Sequence, residues 1–217
     1  MEDVIRTLSL TLILTSFVVV EIRSLRRALV AYMAQALVMV AIIACFSVYH
    51  RPLAVWAATA LVTKFGLVSW LIARSLGADD RECPPAVGPL ASGLIVAALA
   101  AVSYQAIHHY ATFLAPTPLA QQEPFRTNVA VSLTLLAVGL YAILTRRDAV
   151  KVVLGVCLME NGAHLSLVSL ATTLRETVLV GVITDVVVAV YLLLYFVRGM
   201  ERTLGSRDTG RLAALRG

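Results

Sequence analysis

The chain has little charge, few aromatics and no polar stretch long enough to fold as a soluble domain. Charged residues make up 14% of its 217 residues and aromatics 7%, against 59% hydrophobic side chains and a mean hydropathy of +0.86. That balance places it among integral membrane proteins. Its three cysteines, Cys45, Cys83 and Cys157, share no metal-ligand spacing. Cys45 and Cys157 lie in apolar runs, where a thiol behaves as a small hydrophobe, and Cys83 lies in a polar loop beside Pro84 and Pro85. All three read as unpaired structural thiols. The chain also lacks a nucleotide-binding glycine loop, an iron–sulfur thiolate set and a haem signature. No cofactor, no metal and no catalytic or electron-carrying role of its own are therefore expected. No basic patch interleaves with exposed aromatics, which excludes nucleic acid as a partner; the net charge of +5 records membrane topology instead. The first apolar run, residues 7–20, has neither a basic region before it nor a small-residue cleavage site, so it reads as a retained span rather than a signal peptide.

What the chain does have is long apolar runs. Seven can be marked, at about 7–20, 28–48, 53–72, 87–107, 127–144, 150–170 and 178–197, each near the roughly 20 residues that cross a bilayer. The expected fold is an all-α polytopic membrane protein. With the amino terminus outside and the spans alternating, 13 of the 18 basic residues fall on the cytoplasmic side and 4 outside, with Lys64 left within the membrane. The bias of Lys and Arg towards cytoplasmic loops favours this orientation, with the carboxyl terminus cytoplasmic. The expected organisation is a four-helix half over residues 1–110, an outer proline-containing loop over 111–126 and a three-helix unit over 127–198, followed by a cytoplasmic tail over 199–217.

The informative residues are the polar ones inside these runs. A charged side chain at the bilayer centre costs roughly 2.5–3.5 kcal/mol on insertion scales. Glu160 lies near the middle of the sixth run, next to Asn161, and His164 follows at i+4, on the same face and about 6 Å along the axis. Asp185 lies in the seventh run, nearer its outer end, where an antiparallel neighbour brings it within water-bridged reach of Glu160. Lys64 is central in the third run, and either acid is a candidate partner for it. Titration of such groups in a low-dielectric site suits proton handling. Gln35, about a turn into the second run, reads as a helix–helix hydrogen bond. In the first run, Thr7, Thr11 and Thr15 form a stripe that can bond either a neighbour or its own backbone.

Several stretches carry a family resemblance. They are YMAQALVMVAIIACFS from Tyr32, VTKFGLVSWLI from Val62, LGVCLMENGAHL from Leu154, VGVITDVVVAV from Val180 and LAALRG from Leu212. In these the chain resembles component E of hydrogenase-4 and formate-hydrogenlyase-type complexes, whose carboxyl-terminal part is similar to the K-type subunit of respiratory complex I. The resemblance implies a non-catalytic subunit of the bacterial or archaeal inner membrane. Its intramembrane acids would be Glu160 and Asp185, its lysine Lys64 and its histidine His164. Implied partners are antiporter-like and anchor membrane subunits, the lipid bilayer and, indirectly, a nickel–iron hydrogenase or similar redox arm. Two positions depart from the family pattern: Ser69 stands where a proline is expected just after the lysine, and Leu179 where some members carry a further acid. Competing readings are a subunit of a complex I-related cation/proton antiporter and a passive membrane scaffold. The charge asymmetry makes one prediction directly. A reporter fused after Gly217 reads as cytoplasmic and one inserted between Pro116 and Pro124 as external; reversal of either overturns the orientation.

Overall fold

A computed structural model describes residues 2–48, 51–76, 80, 82–83, 85–114, 122–170 and 176–213. Among these residues the regular structure is helical, with one isolated bridge between Asp148 and Asp208. Helix α1 spans Glu2–Glu21 and opens with two acids, Glu2 and Asp3, against the positive end of its dipole. Helix α2 spans Leu25–Ser47 and is capped by Ser24, whose hydroxyl accepts from the Arg27 N–H at 3.2 Å. Asp80 doubles that cap, accepting from the Arg26 N–H at 2.8 Å and the Ser24 hydroxyl at 2.6 Å. There follow α3 (Pro52–Ala60), a π-helical segment π1 (Leu61–Val68), α4 (Ser69–Ser75), α5 (Pro89–Leu114), α6 (Phe125–Thr145), α7 (Ala149–Leu170), α8 (Glu176–Leu204) and the short α9 (Gly210–Ala213).

Among the described residues, six helical stretches are long and apolar enough to cross a membrane. They take up the first six expected runs. The seventh, 178–197, lies inside α8, a helix of 29 residues. Three details differ from the sequence expectation. The third run is not one plain α-helix but α3, π1 and α4 end to end. Helix α5 continues past residue 107 to Leu114 across a non-helical Tyr110 (φ −99°, ψ 16°), so the outer loop begins later; Pro116, Pro118 and Arg175 lie outside the described residues. Helix α8 runs on past Gly199 to Leu204. Gly205, at φ 62°, then turns the chain back. The Ala149 N–H donates to the Arg207 carbonyl at 3.0 Å and the Thr209 N–H to the Arg147 carbonyl at 2.8 Å. The returning tail is thus stitched to the α6–α7 turn of its own chain, and Leu215 lies outside the described residues.

Polar residues of α1 divide by face. Thr7, Thr11 and Thr15 turn their hydroxyls onto their own helix, bonding the carbonyls of Asp3, Thr7 and Thr11. The buried serines on the other side make the cross-links: Ser9 donates to Asn128 Oδ1 at 2.5 Å, and Ser16 accepts from Gln35 Nε2 at 2.8 Å. Gln35 is therefore the helix–helix bond its position suggested.

Helices α6 and α7 form the centre of the bundle, and their backbones nearly touch. A Cβ at Gly162 would sit 2.5 Å from the Ser132 carbonyl oxygen, and one at Gly139 2.7 Å from that of Gly155. Membrane helices lack a hydrophobic drive towards one another, so small residues that admit close van der Waals packing do this work. The obstacle at Gly162 is backbone, which cannot swing away. Gly162→Ala therefore lowers the unfolding free energy by about 1–3 kcal/mol, read as detergent-solubilised thermal stability. Gly199→Ala, with nothing within 4 Å, does not; equal effects would contradict the close-approach account.

Candidate functional site

Lys64 lies in the middle of π1, and its side chain is 1% exposed. Its ammonium nitrogen sits 2.8 Å from Glu160 Oε1. It donates to Asn161 Oδ1 at 2.7 Å and lies 2.5 Å from His164 Nδ1. An ammonium has three N–H groups, and here three acceptors from two turns of α7 surround it. His164 Nδ1 is also in contact with Glu160 Oε1 one turn back. The Trp56 ring packs in a T-shaped arrangement with the imidazole, with the ring centroids 5.4 Å apart.

Local structure explains how the lysine gets there. A π turn carries an extra residue per hydrogen-bonded ring, which re-aims side chains and marks functional sites in many helices. Ser69, at the end of π1, donates its hydroxyl to the Lys64 carbonyl at 3.1 Å. The irregularity that a proline would impose is thus present without one. On the partner side, Gly162 lets α7 sit against α6 between Asn161 and His164.

The chemistry follows from this geometry. When Nδ1 accepts from the lysine, the imidazole proton resides on Nε2. Because Oε1 and Nδ1 also face one another, a proton at this point can belong to lysine, histidine or glutamate with little movement of heavy atoms. Three further buried atoms, Glu160 Oε2, Asn161 Nδ2 and His164 Nε2, have no hydrogen-bond partner among the described residues. Buried polar groups are nearly always paired, so these three give the cluster bonding capacity beyond its own members.

Of the residues singled out in the sequence, Lys64, Glu160, Asn161 and His164 come together. Asp185 does not join them: it is exposed on α8 and has no hydrogen-bond or ion-pair partner among the described residues. Of the two acids that could pair with Lys64, the structure selects Glu160.

A second buried ionic group was not legible as such. The charge count uses Lys151 and Arg146 only as cytoplasmic-side charges, where side chains are commonly solvated. Instead, Arg146 is 2.7 Å from Glu21 Oε1 and 3.1 Å from Glu82 Oε1. Lys151 donates to the Val19 and Ile22 carbonyls at 2.7 and 2.5 Å, with Glu82 Oε2 at 3.6 Å. One signal was available: against sixteen arginines the chain has only two lysines, and both are about 1% exposed. Beside this network, burial raises the Glu82 carboxyl above its ordinary value, Lys151 and Arg146 offsetting part of the shift. Asp80 is held low, chiefly by the Ser24 hydroxyl bond. Cys83 is pushed up to about 11 by burial, with the Asp148 carboxylate adding to the shift.

With these side chains in position the class is clear: a helical multi-pass membrane protein that buries a lysine, a glutamate and a histidine at mid-span. The chain belongs to the hydrogenase-4 component E family. It is 31% identical to "Hydrogenase-4 component E" of Escherichia coli (strain K12) over 99% of this chain and 98% of that protein, and equally similar to the Shigella flexneri protein of that name. An uncharacterised protein of Mycobacterium tuberculosis is 27% identical over 94% of this chain and 92% of its own length. A family profile described as NADH-ubiquinone/plastoquinone oxidoreductase chain 4L matches residues 128–217. No solved structure matches the chain significantly. The matched residues include Glu160, Asn161, His164 and Asp185 but not Lys64 or Trp56, so the lysine reaches the acceptors on α7 from outside the matched stretch.

The Cys83 shift is testable. In a Cys45→Ala, Cys157→Ala background, Cys83 alkylates at pH 8 about two orders of magnitude more slowly than free cysteine, because the thiolate is the nucleophile. The rate climbs about tenfold per pH unit up to pH 10. Free-cysteine rates at pH 8 would contradict the burial.

Proposed function

We propose that this chain is a non-catalytic subunit of the inner membrane in a hydrogenase-4-like, complex I-related assembly. In this reading it carries protons through the membrane while redox chemistry proceeds in other subunits. The proposed orientation has the amino terminus outside and the carboxyl terminus cytoplasmic. The proposed partners are antiporter-like and anchor membrane subunits and, through them, a nickel–iron hydrogenase or similar redox arm. The relatives' shared name and full-length similarity support the assembly; the charge asymmetry supports the orientation.

The observation that carries the proton role is the position of Lys64 Nζ, 2.8 Å from Glu160 and 2.5 Å from His164 in a buried setting. Three groups able to exchange one proton, held on an irregular helix, form a relay station and not merely a fastener. Glu160 and Lys64 hold and release the proton, and His164 passes it between Nδ1 and Nε2. Asn161 fixes the ammonium. Asp185, exposed on α8, is proposed as the point where the path meets a neighbouring subunit.

Because the pair is buried, its members are best tested together. Removing one partner leaves an uncompensated charge and costs about 3–5 kcal/mol, so Lys64→Met or Glu160→Gln alone should lower subunit content. The double variant, Lys64→Met with Glu160→Gln, removes both charges and should assemble better than either single one. In membranes containing it, proton-gradient formation is expected to fall at least tenfold, while turnover with an artificial electron acceptor is spared. Full proton coupling in the double variant would rule the pair out of the path. Parallel loss of assembly and of every activity would favour the scaffold reading.

A further inference from the structure

Where the end of α4 lies against the second half of α8, a cavity of about 260 Å³ opens between them. Its walls are Trp70 and Arg74 from α4 and Tyr191, Leu194, Tyr195 and Arg198 from α8. Residues 191, 194, 195 and 198 follow the i, i+3, i+4, i+7 spacing of one helix face. The two cations are tied down by neutral groups. Arg74 lies over the Trp70 ring at 5.3 Å, and Arg198 Nη2 donates to the Arg74 carbonyl at 2.9 Å. That bond also fixes both residues at one height. Neither guanidinium has a carboxylate partner among the described residues. Elsewhere at this end Arg146 and Arg207 do sit beside acids. Trp70, Tyr191 and Tyr195 are 52%, 56% and 67% exposed, while Leu194 forms a buried apolar floor.

We infer that this cavity binds the phosphate group of an anionic phospholipid, with the acyl chains running down the α8 face. Two adjacent guanidiniums offer forked donors to phosphate oxygens. Large amphipathic rings are the residues found at headgroup level, and basic pockets between spans are where anionic headgroups bind. The exposed Tyr191, Leu192 and Val188 continue along the helix towards its apolar middle. A phosphate bound here requires a long apolar tail beside it to match that surface, which a lipid has and a free phosphate lacks. The site is independent of the proton relay, since none of its residues touches Lys64, Glu160 or His164 in the described contacts.

The test uses the full chain purified in a neutral detergent and read by native mass spectrometry against added phosphatidylglycerol, phosphatidylcholine or inorganic phosphate. Retention of one phosphatidylglycerol per chain in preference to phosphatidylcholine is expected. Arg74→Gln with Arg198→Gln weakens that retention about 30-fold, taking the roughly fivefold that each basic residue contributes. Arg74→Lys with Arg198→Lys keeps the charge and retains most of the binding, which separates a lost site from a misfolded chain. Inorganic phosphate in millimolar excess fails to displace the lipid. Unchanged retention in the double glutamine variant overturns the inference, as does binding of inorganic phosphate alone. A photo-crosslinker at Tyr195 that captures a partner subunit instead of lipid in the intact assembly also overturns it.

Discussion

The ion pair between Lys64 and Glu160 is the constraint on which the rest of the bundle depends. Charges buried at mid-span are tolerated only when paired and hydrogen-bonded, and this pair joins elements 96 positions apart in the chain. To satisfy it, the third span has to bring its lysine to a fixed height, and α7 has to present three acceptors at that height. The π segment does the first and Ser69 secures the carbonyl it disturbs. Close packing of α7 on α6 does the second, because Gly139, Gly155 and Gly162 leave no slack between the two backbones.

A second ionic group closes the bundle at one end. Arg146 and Lys151 draw Glu21 and Glu82 inward, and Lys151 also caps the last carbonyls of α1. The loop residue Glu82 and the returning tail at Arg207 and Thr209 are thereby fastened to the α6–α7 turn. Between the two charged groups and beyond them, Gln35–Ser16 and Asn128–Ser9 place neutral hydrogen bonds across helices. Buried polarity therefore recurs along the bundle's height.

Much of this was legible in the sequence. Apolar run length gave the helices, and the i, i+4 spacing of Glu160 and His164 put them on one face. Lys64 was recognisable because a lone lysine in a long apolar run has no inexpensive alternative to a partner. What the sequence lacked was the third dimension. Nothing local distinguishes Glu160 from Asp185 as the partner, since that choice depends on how α8 rotates about its axis. Nothing local separates the self-bonded Thr7, Thr11 and Thr15 from the cross-linking Ser9 and Ser16, since both sets fit a helical stripe. The burial of Lys151 was not legible either, because residues at a span end are solvated by default, and only the approach of α1 and Glu82 buries it. The π segment was hidden because Ser69, unlike a proline, does not announce a break.

If the buried pair is a proton relay, Glu160 changes its protonation when the assembly works. Isotope-edited infrared difference spectra of the intact complex in membranes, triggered by substrate, read that directly, with Glu160→Gln as the assignment control. A relay gives a carboxyl band that appears or vanishes during turnover and is absent from the variant. A Glu160 that stays a carboxylate throughout, while a normal proton gradient forms, would contradict it.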